Sequence, residues 1–544
     1  MNRAGRKVFC LATAIFLAAF QISCQRPLSN VESGNRDQVL HLGNGTEPQG
    51  LDPHIVTGVP EHNILSALLE GLVTEDPKTL QPQPGAAESW TISPDGLVYT
   101  FRLRKNARWS NGDAHTAQDY AYSFRRILNP ALGAQYAYML HVLRGARAFN
   151  EGKSKVAWET VGVEALDDHT LRLTLEHPTP YFLELLNHYS FWPVHPGTIE
   201  RFGAFEKRGT PWTRPGNFVG NGAFVLHEWR VNSRIIATPN PHYWGAANVA
   251  LKSIHFYPID SADTEERAYR SGFIHRTQTV PIHRIDDLRE RRPGEIKFET
   301  YLGTYFYRLN VTKKPLDDAR VRRALALSVD RAGLVSNITR GGQQPAFHFC
   351  PPGTGGFTAG VGLKYDVEEA KRLIADYLKA TGQSRVPPIE ILYNTSESHK
   401  VIAEAIQGMW RDKLGLDVKL LNQEWKVYLD SVTQANYFTS RAGWIGDYND
   451  PNTFLDMWLT DGGNNNTGWT HARYDELIRQ ASRAPDTAAR LACFREAEEI
   501  LAREVPVVPL YFYVNVTMRH PSVQGWHPNV LDHHPYQHVR LKAP

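Results

Sequence analysis

Between Leu97 and Leu103 apolar and polar positions alternate with a period of two. Leu97, Tyr99, Phe101 and Leu103 fall on one face and Val98, Thr100 and Arg102 on the other. This predicts a half-buried strand, entered through the turn Ser93-Pro94-Asp95-Gly96. Further strands are predicted at Thr170–Leu175, Arg234–Thr238, Ile254–Tyr257, Ile389–Tyr393, Asp417–Leu421 and Val507–Tyr513. Helical periodicity marks Ala117–Ile127, Val321–Ser328, Val367–Leu378, His399–Leu414, Ala472–Ala484 and Thr487–Glu504. Strand and helix signals alternate to the end without an evident repeat, which makes the chain mixed α/β. Parallel or antiparallel order is not readable from such a pattern.

The beginning of the chain follows another logic. Arg3, Arg6 and Lys7 precede an apolar run from Val8 to Phe20, too short to cross a bilayer as a helix. The run ends at Gln21-Ile22-Ser23-Cys24, which resembles a lipoprotein cleavage box with Cys24 as the lipidated residue, although Gln21 stands where Leu is usual. Residues 1–24 are therefore expected to be a signal peptide, with plain secretion the alternative to lipidation. Residues 25–37 are polar and irregular, and read as a tether.

At 544 residues the chain exceeds what one core can organise. Its formal charge of +3 disappears once the three cations of the leading segment are removed, so no electrostatic footprint for nucleic acid remains. The 13 Trp and 23 Tyr suit either a binding cleft or core packing. Cys350 and Cys493 are the cysteines beyond Cys24; Cys493 lies in a helical pattern, where a buried thiol is favoured over a bridge. Gly353-Thr354-Gly355-Gly356 lacks the Lys-Ser/Thr of a phosphate loop, and no nucleophile elbow or zinc-protease motif is present. His527, His533, His534 and His538 with Asp532 could suggest a metal site. Pro528 and Pro535 break any helical face that would align them, so a solvated loop is expected.

The segment Leu68–Arg126 runs "GL…P…A.SW…DG..YTF.LR…W..G…A.D…S..R". In that order it closely resembles the oligopeptide-binding proteins of bacterial peptide ABC importers. Other landmarks follow in family order, among them Leu51-Asp52-Pro53-His54, Asn240-Pro241-His242-Tyr243-Trp244, Asp318-Ala319-Arg320-Val321-Arg322-Arg323-Ala324 and Arg441-Ala442-Gly443-Trp444. The resemblance implies a periplasmic-binding-protein fold of two lobes joined by a hinge. Residues 38–69, 196–302 and 514–544 would form lobe I, 70–195 an accessory domain and 303–513 lobe II. It implies a monomeric extracytoplasmic receptor, without enzymatic activity or cofactor, that hands short peptides to a membrane permease and is held to the membrane by its lipid. Receptors for cell-wall (murein) peptides, dipeptides or metal chelates remain alternatives, as does signalling without transport. A secreted hydrolase has no recognisable nucleophile–base motif behind it.

The resemblance also assigns binding roles. Asp447 matches the carboxylate that meets the peptide's ammonium, the alternative being an Asp in a polar turn. Arg441 and His399 match positions that meet the peptide's carboxylate; a structural ion pair and a surface helix end are their other readings. Val432 and Thr339 stand where the family has two further cations, with Arg340 adjacent to the second. Thr57, Gly58 and Val59, and Gly443, Trp444 and Ile445, match the segments that pair with the peptide backbone. Tyr136, Phe306, Trp425, Trp444 and Tyr513 match cleft aromatics, with core packing as the alternative for each. Gly303 and Ile445 replace a cysteine pair of some relatives.

Overall fold

The computed structural model describes residues 27–152, 156–484 and 486–543. Cys24 and the expected signal peptide lie outside the described residues. Three sheets organise the chain. One joins Val39–Gly43, Ser253–Tyr257, Arg234–Pro239 and Phe224–Arg230 in that spatial order, its first pair parallel and the others antiparallel. A second is antiparallel throughout and orders Ala87–Ile92, Val98–Leu103, Thr170–Thr174 and Val163–Asp167. In it Tyr99, Phe101 and Leu103 are buried and Arg102 is exposed, as the period of two requires. The third has six strands, in the order Gln344–Pro345, Val507–Met518, Ile296–Leu309, Thr439–Ile445, Ile389–Asn394 and Val418–Gln423.

Two long strands connect the first and third sheets. Ile296–Leu309 and Val507–Met518 pair antiparallel along their length, with a register break between Thr300 and Thr304. On one side of the break Ile296, Val516 and Met518 pack with Tyr257, Tyr269 and Ile274. On the other, Tyr305, Tyr307, Val508 and Leu510 pack with Leu325, Ile391 and Trp410. Both strand segments thus leave one core and enter another while remaining hydrogen-bonded to each other.

The helices start where the sequence supplies caps. Asp486 accepts from Ala489 N–H ahead of Thr487–Glu504, and Asp366 accepts from Glu369 N–H ahead of Val367–Thr381. Residues 30–37, expected within a tether, form the helix Asn30–Asp37 instead. Its Ser29–Glu32 capping box fixes the start, and Val31, Gly34 and Asn35 are buried. The C-terminal histidine segment also departs from the expected solvated loop. His533 pairs with Glu75 at 2.6 Å and His534 with Asp532 at 2.6 Å, while Trp526, Leu531, Tyr536 and Val539 join the main core. Cys350 is buried and Cys493 half-buried, and both are free thiols.

The Asp52-Pro53-His54 landmark is held by Arg126, which is 0% exposed. Its guanidinium makes a fork of 2.9 and 2.6 Å to the Asp52 carboxylate and also reaches His54 and the Ala204 carbonyl. Arg126→Met would strand the buried carboxylate, and a loss of about 3–5 kcal/mol is expected in urea unfolding.

Candidate functional site

The strand Thr439–Ile445 is the geometric centre of the site. On one side it pairs with Ile296–Leu309, from Gly303↔Ile445 to Leu309↔Thr439. On the other, Ile389–Asn394 reaches only Thr439 and Ser440, so beyond Ser440 that edge carries no strand among the described residues. The Gly446 amide donates to the Leu302 carbonyl at 2.7 Å. In an antiparallel pair such bonds recur every second residue, so Trp444 and Ala442 exchange theirs with the paired strand. The amides and carbonyls of Gly443 and Ile445 consequently face the open edge. The Arg441 carbonyl points the same way and is taken by the Tyr428 hydroxyl.

An acid stands at one end of this edge. Asp447 is nearly buried, its side chain 12% exposed. Thr453 accepts from its amide at 3.1 Å and donates to its carboxylate at 3.2 Å. His188 Nε2 lies 3.4 Å from Oδ1, but burial pulls His188 down to about 3, so its imidazole is neutral. Burial pushes Asp447 up to about 7, against the pull of Thr453 and His533. No Lys or Arg pairs with it among the described residues.

A cation stands at the other end. Among the described residues Arg441 has no carboxylate partner; its Nη2 donates to the Tyr513 hydroxyl at 3.0 Å and its Nη1 reaches Asn394 at 3.4 Å. The guanidinium lies 4.7 Å over the Tyr305 ring, and its Nε is buried without a partner. His399 accompanies it, its Nδ1 3.3 Å from the Tyr305 hydroxyl, and burial and then Arg441 hold it well below the usual histidine range.

Across the cleft Gly58 is extended and Thr57 lies outside any helix or strand, while Val59, expected in a pairing segment, opens the helix Val59–Leu68. The amides of a helix's first turn lack intrahelical partners, so Val59 can still offer its N–H. A side chain on Gly58 would meet Glu61 and, at 3.3 Å, the indole of Trp425, which opens the helix Trp425–Thr433. Glu61 is buried with Oε2 unpartnered, and burial pushes it up to about 7.

The other expected positions divide. Tyr513 and Trp425 face the cleft groups just described. Tyr136 is buried against His188 and Tyr189, 6.2 Å from Trp444. Trp444 is turned away from the open edge, donating to the Thr453 carbonyl at 2.6 Å, and so braces the Asp447 loop. Phe306 is not a cleft residue. It is 0% exposed and packs edge-on against Phe349 and Trp458, because strand alternation sends Tyr305 and Tyr307 to the Arg441 face and Phe306 to the other. Nor does Arg340 join Arg441: it sits on an exposed left-handed bend and pairs with Asp286 at 3.3 Å. Gly303 and Ile445 are direct cross-strand partners, and a Cβ on Gly303 would come within 2.5 Å of Ile445 Cδ1. At Gly443 the added Cβ would meet the Tyr513 hydroxyl at 2.5 Å. Gly443→Ala should displace Tyr513 from Arg441 and weaken ligand binding about tenfold by calorimetry.

Residues 81–466 match the family described as bacterial extracellular solute-binding proteins, family 5 Middle. The chain belongs to that family. It is 40% identical over 500 residues to the periplasmic oligopeptide-binding protein OppA of Escherichia coli, covering 90% of each chain. The structure of Haemophilus influenzae OppA in complex with RPPGFSPFR superposes with a TM-score of 0.88 at 36% identity, covering 93% of this chain and 99% of that one. The E. coli murein tripeptide-binding protein MppA, also 36% identical, superposes at 0.88 over 93% of this chain and 98% of its own. Its unliganded open form reaches only 0.62, with 93% and 97% covered. The same relative thus superposes less well on this family 5 chain in its unliganded open form.

Proposed function

We propose that this protein is an extracytoplasmic receptor that closes on short peptides and delivers them to an ABC permease for import. The observation that carries the reading is the open edge of Thr439–Ile445, with an acid lacking a fixed counter-ion at one end and an unpaired guanidinium at the other. A peptide enclosed from water must recover its backbone hydrogen bonds and pair its two terminal charges, and this arrangement offers all three. The ligand lies antiparallel to the strand, its ammonium at Asp447 and its carboxylate toward Arg441 and His399. Six residue steps separate Asp447 from Arg441, about 20 Å of extended chain. Allowing for the reach of the two side chains, that accommodates roughly three to five ligand residues.

Thr57, Gly58 and Val59 supply backbone groups from the facing lobe, and Trp425 and Tyr513 wall the side-chain space. Recognition through backbone and termini leaves side chains loosely selected. The protein acts as a monomer, and lipidated Cys24 keeps it at the membrane surface; the poorer superposition on a relative's unliganded open form supports coupling of closure to delivery. Mass spectrometry of the small molecules released on denaturation tests the reading. A mixture of free short peptides is expected. A single cell-wall fragment or a metal chelate would keep the receptor and replace its substrate.

A further inference from the structure

Next to Asp447 a second acid faces the same enclosed space. Asp456 accepts from Asn452 Nδ2 on Oδ2 at 2.8 Å, but its Oδ1 is buried and accepts no hydrogen bond. Both carboxylates line a cavity with about 30 Å³ open to the centre of a water molecule, between the third sheet's loop and the segments that precede Val194. Asn452 and Thr453 line it beside the two acids, and the rest of the wall is apolar and aromatic: Met139, Val142 and Leu185, with the rings of Tyr138, Tyr181 and Tyr448. Tyr181 and Tyr448 stack at 4.6 Å.

Among the described residues no cation pairs with Asp456, and Arg147 acts on it only through space. Arg490 forks onto Asp450 at 2.6 and 2.7 Å, and Arg147 is half exposed and lies 3.9 Å from Glu151. Asn464 donates to the Tyr138 hydroxyl at 3.3 Å, which leaves that hydroxyl's own proton available in the cavity. Burial, with Asp447 and Asp450 adding to it, holds Asp456 far above the usual carboxylate range. An ionised carboxylate in such a place needs a cation to neutralise it.

Apolar walls that end in an acid suit a side chain with an aliphatic stem and a charged head. Aromatic faces beside that head add attraction for a cation. The position next to Asp447 also fixes which ligand residue reaches the cavity, namely the one that bears the ammonium. Resting on the peptide-receptor reading above, we propose that the cavity between Asp447 and Asp456 is the subsite for the ligand's first side chain and selects a basic one, Asp456 receiving its charge. As it stands the cavity holds an ammonium-sized group, and the flexible Met139 yields to admit the stem.

Titration calorimetry with Lys-Ala-Ala and its uncharged isostere norleucine-Ala-Ala, at pH 7.5, tests this. The wild-type protein should bind the lysine peptide at least about tenfold more tightly, since a buried charge-assisted hydrogen bond is at stake. Asp456→Asn, which keeps the shape, should bring the two affinities within about threefold, chiefly by weakening the lysine peptide. Equal affinities in the wild type, or a preference that survives in Asp456→Asn, would overturn the subsite while leaving the receptor reading intact. Binding of neither peptide would instead overturn the receptor reading itself, and the subsite with it.

Discussion

Asp447→Asn is expected to weaken a free-amino tripeptide at least ~100-fold, because a buried ammonium left without its carboxylate costs several kcal/mol. Neither side chain in contact with Asp447 can replace that charge. His188, the nearest ionisable partner at 3.4 Å, is held neutral by burial, and Thr453 is uncharged. The same loss is expected when the wild-type protein is offered the N-acetylated peptide. The variant should bind free and acetylated peptides with similar affinity, since the interaction is already gone. A calorimetric cycle over the two proteins and two peptides isolates the pairing from any general loosening of the loop. Equal affinity of the wild type for both peptides would remove Asp447 from the ammonium site.

The opposite end should behave as its mirror. Arg441→Met keeps an unbranched stem against the Tyr305 ring and removes the charge, and a loss of about 100-fold for a peptide with a free carboxylate is expected. The guanidinium carries its cation at any working pH and now spends its hydrogen bonds on a tyrosine hydroxyl and an asparagine amide. A carboxylate offers it a planar fork instead. C-terminal amidation should cost the wild type a comparable factor and Arg441→Met almost nothing. If amidation is harmless to the wild type, Arg441 organises Tyr305 and Tyr513 and does not read the ligand.

How much of this was legible from residues alone depended on what each residue faces. The strand at Leu97–Leu103 has one wet face, so its alternation announced it. The helix Thr487–Glu504 begins and ends where periodicity placed it. In Ile296–Leu309 both faces are covered over Leu302–Phe306, so no polar position told the face of Tyr305 from that of Phe306. Phe306 was assigned to the wrong side for that reason. Arg340 depended on a left-handed bend after Thr339 that no local pattern announces. The helix at Asn30–Asp37 did leave a signal, Ser29 followed three residues later by Glu32, which polar composition obscured. His188, Glu61 and Asp456 had none, because their importance comes from neighbours more than sixty residues away or from a buried oxygen without a partner. The acid and the guanidinium of the site were reached through family resemblance, not through periodicity.

The paired crossing strands have a consequence for the order of assembly. Val507–Met518 is an interior strand of the six-stranded sheet and also contributes Val516 and Met518 to the core around Tyr257. Near the very end, the Leu541 amide and carbonyl are tied to the Gln38 side chain, 503 positions earlier. A chain emerging from its N-terminus can therefore finish neither half until almost all of it is available, and contacts so remote in sequence form slowly. For a protein that must be threaded across a membrane, late completion is useful: the last strands to arrive are the ones that lock both halves.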